Sequence, residues 1–151
     1  MDHPTPRQLW MSVLARSSTA TIVDLLAACP KLPPHTVLRG PEAGLVMVRG
    51  RAGSAGQKFN LGEMTVTRCT VRAGADGTER IGHAYVAGRE AGRAELAARL
   101  DAALQDPALH DTIHAEVIRP LAAAQADARA ATARRAAATQ VQFFTMATMR
   151  T

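Results

Sequence analysis

The stretch FNLGEMTVTRCTVR, residues 59–72, decides how this chain is read. It holds a carboxylate (Glu63), two arginines and a cysteine. That content admits an active site, half of a metal site, or one strand of a sheet with its charges facing water. From Met64 to Val71 the residues alternate. Met64, Val66, Arg68 and Thr70 point one way, and Thr65, Thr67, Cys69 and Val71 the other. The β-branched content favours a strand over a helix. Arg68 and Cys69 therefore lie on opposite faces and cannot act together. Cys69 goes to the core side with Val71. Arg68 is left on the other face, where it needs an anionic partner.

Working outward, HTVLRG (residues 35–40) reads as a short edge or entry strand, and GLVMVRGRA (44–52) as a stronger one. Gly53, Gly56 and the small residues between them supply a loop. Downstream, GADGT (74–78) is a turn built on Asp-Gly, and RIGHAYVAG (80–88) is the returning strand. The expected centre is an antiparallel meander of three to four strands.

Helices flank it. In TPRQLWMSVLARSS (5–18), Thr5 caps a helix with Pro6 at its first position, and Leu9, Trp10, Val13 and Leu14 form an apolar stripe. Ser18 caps a second helix, TATIVDLLAAC (19–29), which Pro30, Pro33 and Pro34 stop. After the sheet, REAGRAELAARLDAALQD (89–106) places Leu96, Leu100, Ala103 and Leu104 on one face, with Glu95 and Arg99 spaced to pair. Asp106-Pro107 opens another helix, which Pro120 kinks or restarts. The alanine-rich stretch 121–140 is strongly helical by propensity. The fold class is α+β: an antiparallel sheet, two N-terminal helices and a long helical C-terminal region in a single domain, residues 1–151.

Composition narrows the function. A chain of 151 residues with 47% apolar residues builds one core. Its charge of +5 favours an anionic partner, although the bases are nearly all arginine and carry few interleaved aromatics. A basic nucleic-acid-binding protein is a rival reading, but nucleic acid is not the expected partner. No apolar run is long enough to span a bilayer, and the N-terminus lacks a signal-peptide layout, so a cytoplasmic address is expected. Cys29 and Cys69 lie far apart and outside any CxxC pattern, so both are read as buried, inert thiols.

Several motifs approach chemistry without reaching it. GRAGSAGQK (50–58) resembles a phosphate loop, but Gln57 separates Gly56 from Lys58 and a strand follows instead of a helix. HDTIH (110–114) puts His110 and His114 one helical turn apart, yet a zincin needs Glu where Asp111 stands, and two solvated histidines are the reading. His83 and Tyr85 share one strand face as a half-buried pair. No nucleophile-base constellation assembles from spacing, and no metal site is expected. The tail VQFFTMATM (141–149) carries two of the three phenylalanines beyond a helix with no large apolar side chain. Burying a Phe is worth ~1.5–3 kcal/mol, so the tail, residues 139–151, either folds back onto the sheet or, the favoured reading, docks on a partner or a second copy through Phe143, Phe144 and Met146.

Taken together, FNLGEMTVTRCTVR, GHAYVAGR (82–89), AELAARLDAALQ (94–105), the terminal FFTM (143–146) and RQLWMSVLARS (7–17) resemble the PhnG family, the G subunit of the carbon–phosphorus lyase core complex of bacterial phosphonate degradation. The resemblance runs nearly end to end. It implies an α+β subunit working with the H, I and J subunits and the ATPase-like L protein. Their early reaction displaces adenine from ATP by a phosphonate, giving α-D-ribose 1-phosphonate 5-triphosphate. The I subunit carries that nucleoside chemistry, and the J subunit cleaves the C–P bond with its iron–sulfur cluster. The resemblance assigns no catalytic residue to the G subunit and no cofactor to this chain; ATP and phosphonate are substrates of the complex. An accessory, non-catalytic subunit is the expectation, homodimeric through its tail if isolated. Candidate ligand or partner contacts are Glu63, Arg68, His83 and Arg89. In the rival catalytic reading, Glu63, Arg68 and His83 line an ATP or phosphonate site.

Overall fold

The structure is a computed structural model and describes residues 3–53, 56–75 and 77–141. Its elements run α1 (Pro6–Ala15), α2 (Thr19–Leu26), β1 (His35–Arg51), β2 (Lys58–Ala73), β3 (Arg80–Ala87), α3 (Ala91–Ala103), α4 (Pro107–Ile113), a π-helical turn (His114–Ile118) and α5 (Arg119–Ala138). The three strands form one antiparallel sheet in the order β1-β2-β3. This is the α+β architecture expected: a three-stranded meander, two N-terminal helices and a long C-terminal helix.

The helix starts follow their caps. The Thr5 hydroxyl accepts from the Gln8 amide, and the Gln8 side chain accepts from the Thr5 amide (2.8 Å), closing a capping box ahead of Pro6. The Ser18 and Asp106 side chains cap α2 and α4 by accepting from the Thr21 and Ala108 amides. Where Pro120 removes a backbone donor and crowds the carbonyl four residues before it, the helix does not break. It widens into the π-helical turn just upstream and continues through α5.

Among the described residues, only one face of the sheet is covered. Thr67, Cys69, Val71 and Ala73 of β2, with Ala84 and Val86 of β3, turn toward α3, whose Leu100 and Ala98 are completely buried. The parity read from the sequence holds, with Cys69 and Val71 on the core side. Gly82 marks the closest approach: a Cβ there would strike the Ala98 carbonyl and lie 2.7 Å from the Ala102 amide nitrogen. Glu95 does not pair with Arg99. It meets the ring of His35 at 3.0 Å and ties α3 to the start of β1.

The two stretches read as separate strands, 35–40 and 44–52, are one long strand, β1. Gly40-Pro41 does not end it, because β1 is an edge strand and these residues form a bulge between the Arg39–Thr70 and Glu42–Arg68 pairs. Gly40 has φ +76°, and a Cβ on it would lie 2.5 Å from the Arg68 carbonyl oxygen, so the bulge requires glycine.

A buried carboxylate organises the other edge. Asp101 of α3 is wholly buried and accepts four hydrogen bonds. They come from Arg7 Nε (3.1 Å) and Nη2 (2.7 Å), Trp10 Nε1 (2.9 Å) and the His83 amide (2.9 Å). The Ile81 carbonyl on the same strand edge accepts from Arg7 and Gln105. Side chains thus satisfy the edge of β3 that no strand pairs. The bond to Asp101 pushes the Arg7 guanidinium above its ordinary pKa.

Candidate functional site

The face of the sheet away from α3 carries the chemistry. Register sets Arg39, Thr70 and His83 in one row across the three strands, and Glu42, Arg68 and Tyr85 in the next. Glu42 Oε1 accepts from both Arg39 Nε and Arg68 Nε, each at 2.7 Å. The anionic partner that Arg68 needs therefore comes from the neighbouring strand. The two guanidiniums, Arg39 foremost, hold the Glu42 carboxyl below the usual carboxylate range. In the adjacent row, Thr70 Oγ1 and His83 Nδ1 stand 3.2 Å apart. At the β3 edge a cleft of about 210 Å³ opens between α1 and β3, lined by Met11, Ser12, His83 and Tyr85 and, on the α3 side, by Ala84, Val86 and Ala97. Tyr85 is 56% exposed.

The sequence-predicted residues divide. Arg68 and His83 share this face in neighbouring rows. Glu63 does not join them. It lies five residues from Arg68, roughly 17 Å along the strand and on the opposite face, across from Met47. The Glu63, Arg68 and His83 trio is thus not brought together. Arg89 is exposed in the connection to α3. That connection is pinned by Thr67, whose hydroxyl donates to the Gly88 carbonyl (2.6 Å) and accepts from the Glu90 amide (3.0 Å). Phe143, Phe144 and Met146 lie outside the described residues.

His110 and His114 stack at 5.7 Å, and Trp10 meets His110 edge-on at 5.6 Å. His114 is exposed as expected, but His110 is half-buried, with Nδ1 2.7 Å from the Leu104 carbonyl. Among the described residues no cluster of His, Cys, Asp and Glu could hold a metal ion, and no helix is long and apolar enough to cross a membrane. Cys29 and Cys69 are free thiols. Cys69 is buried, whereas Cys29 is only half-buried, because it sits one residue before Pro30 in the turn that ends α2.

The largest feature that sequence reasoning missed is an arm. β3 ends opposite Val66, so β1 residues 45–51 and β2 residues 58–65 continue as a two-stranded ribbon beyond the sheet. It extends about 24 Å. Leu45 (64%), Met47 (51%) and Leu61 (66%) are exposed, as are Val46, Phe59 and Met64. Val46 and Met64 pair on one face, while Leu45 and Met47 lie on the other. Arg49, Arg51 and Lys58 crowd the tip. A signal existed in the continuous run LVMV (45–48), which is apolar at both parities, as in a strand covered on both faces.

The family described as "Phosphonate metabolism protein PhnG" matches residues 5–149. A relative from Rhizobium meliloti (strain 1021), named alpha-D-ribose 1-methylphosphonate 5-triphosphate synthase subunit PhnG, is 41% identical over 141 residues. The match spans 93% of this chain and 87% of the relative. With nearly the whole chain matched by the family, and its core strands and helices inside the match, this chain belongs to the PhnG family of phosphonate metabolism.

Proposed function

We propose that this chain is an accessory, non-catalytic subunit of the carbon–phosphorus lyase core complex. It supports the displacement of adenine from ATP by an alkylphosphonate, which gives α-D-ribose 1-phosphonate 5-triphosphate. Its partners are the H, I and J subunits and the ATPase-like L protein, and it works in the cytoplasm. The observation that carries this reading is the arm. Six large apolar side chains stand in water on a ribbon with apolar groups on both faces and little else to stabilise it. Burying each is worth ~1.5–3 kcal/mol, a gain that a partner surface supplies. The relative's name, which calls it a subunit of a synthase, points the same way.

The test is co-expression with the neighbouring subunits. The chain is expected to co-purify with them, and Met47→Ser with Leu61→Ser is expected to abolish capture while leaving its own fold intact. A chain that purifies as a stable monomer and never captures a partner overturns the reading.

A second reading is favoured by Arg68 and His83 standing in neighbouring rows of one face: direct contact with an anionic substrate on the open face. Arg68→Ala and His83→Ala decide it within the assembled complex. Unchanged adenine release with intact assembly removes it.

A further inference from the structure

A second cleft lies on the helical side of the molecule, away from the open face of the sheet. α1, α4, the π-helical turn and α5 enclose about 450 Å³, within the range of small-molecule sites. Its apolar lining comes from Leu9, Trp10, Val13, Ile118 and Ala122. The stacked rings of His110 and His114, with Trp10 edge-on to the first, add an aromatic wall. Arg16, Arg119 and Arg129 also line it, and among the described residues no carboxylate does.

What sets these three arginines apart is that one cleft gathers them, since among the described residues Arg49, Arg51 and Arg89 also lack a carboxylate partner. Arg7, Arg39, Arg68 and Arg72 have carboxylate partners. Among the described residues Arg16, Arg119 and Arg129 have none. Two ring nitrogens, by contrast, are already committed: Trp10 Nε1 to Asp101, and His110 Nδ1 to the Leu104 carbonyl. The rings are thereby fixed in place, and His110 keeps Nε2 for another partner. The π-helical turn supplies both His114 and Ile118 to the lining. Such turns recur at functional sites because the extra residue redirects side chains.

From the three uncompensated guanidiniums over an aromatic and aliphatic floor, we infer that this cleft binds an aryl phosphate monoester, a flat apolar ring carrying a dianionic head. The ring lies against Trp10 and the histidine pair. The phosphoryl oxygens take charge-assisted hydrogen bonds from the arginines. This inference does not rest on the chain's role in the complex.

Trp10 is the chain's one tryptophan, so its fluorescence reports the cleft directly. The full-length chain is titrated with phenyl phosphate, benzoate, phenol and inorganic phosphate. Phenyl phosphate is expected to change Trp10 emission saturably, with phenol and inorganic phosphate each weaker by at least about ten-fold. Benzoate, with one charge, is expected between them. The double variant Arg16→Ala with Arg129→Ala changes two exposed side chains and is expected to weaken phenyl phosphate by at least about ten-fold, with its circular dichroism unchanged. ³¹P line broadening of phenyl phosphate by the co-purified complex, with and without the double variant, repeats the measurement when the subunits are together. A response equal for phenol and phenyl phosphate, one indifferent to the arginine variant, or one lost in the complex overturns the inference. The last result would assign the cleft to a partner subunit.

Discussion

The two ends of β1 and β2 belong to the same strands and live in different environments. From Thr67 to Ala73, β2 has a strand on either side and α3 beneath it, and every second side chain is buried. From Lys58 to Met64 it has, among the described residues, one neighbour and no cover, and Phe59, Leu61 and Met64 stand exposed. Apolar content does not separate the ends, since the arm carries Leu45, Val46, Met47, Phe59, Leu61 and Met64. The third strand and α3 make the difference. One end is built for stability, and the other presents the same kind of surface outward.

The sharpest way to break the packed end is to remove its buried charge. Asp101→Ala strands the Trp10 indole donor and the His83 amide and leaves Arg7 without its carboxylate. A loss of about 3–5 kcal/mol is expected in denaturant unfolding. Gly82→Ala comes next, because the new methyl meets backbone atoms of α3 that cannot swing aside. It should cost about 1–3 kcal/mol and lower the thermal midpoint. In the arm, Met47→Ser with Leu61→Ser should change stability by no more than about 0.5 kcal/mol while abolishing partner capture. A large stability loss there would erase the contrast between the two ends.

Two smaller effects sharpen it. Burial pushes the Cys69 thiol above its ordinary pKa, with the charge of Glu95 adding to the rise. Burial and then Glu116 do the same for Cys29. Less thiolate is therefore present near neutral pH, and both should label slowly in the native chain and quickly in denaturant. The smallest effect is at Glu42. Its folded pKa lies below the unfolded value, so the tie to Arg39 and Arg68 is present above the ordinary carboxylate range and lost as pH falls through the folded value. Carboxyl NMR should place its midpoint below the ordinary glutamate value, and Arg39→Ala should raise it.

Local chemistry made much of the fold legible. Alternation in residues 64–71, the Thr5-Pro6 start and the Asp106-Pro107 start each carry their own signal, and each element forms where that signal sits. Residues 35–40 and 44–52 read as two pieces of what is one strand, β1. A Gly-Pro pair is compatible with one continuous strand only at an edge, and the sequence does not say which strand lies there. On the open face, Arg68 and His83 were visible as strand residues, but Glu42 became their neighbour only through a register containing a bulge. Asp101 was invisible for a related reason. Its partners lie 94, 91 and 18 residues away, and on a helical wheel it is an ordinary polar residue.

That separation has a consequence for how the chain is made. Arg7 and Trp10 leave the ribosome long before Asp101 exists, so α1 has no seat on the body until α3 has been synthesised. At about 5–20 residues per second the wait is roughly 5–20 s. During it the Trp10, Val13 and Leu14 stripe stays open to any apolar surface nearby. Helix α1 is thus translated well before α3 yet locks only after it, and mutations at Arg7 should act on the yield of folded chain during biosynthesis as well as on equilibrium stability.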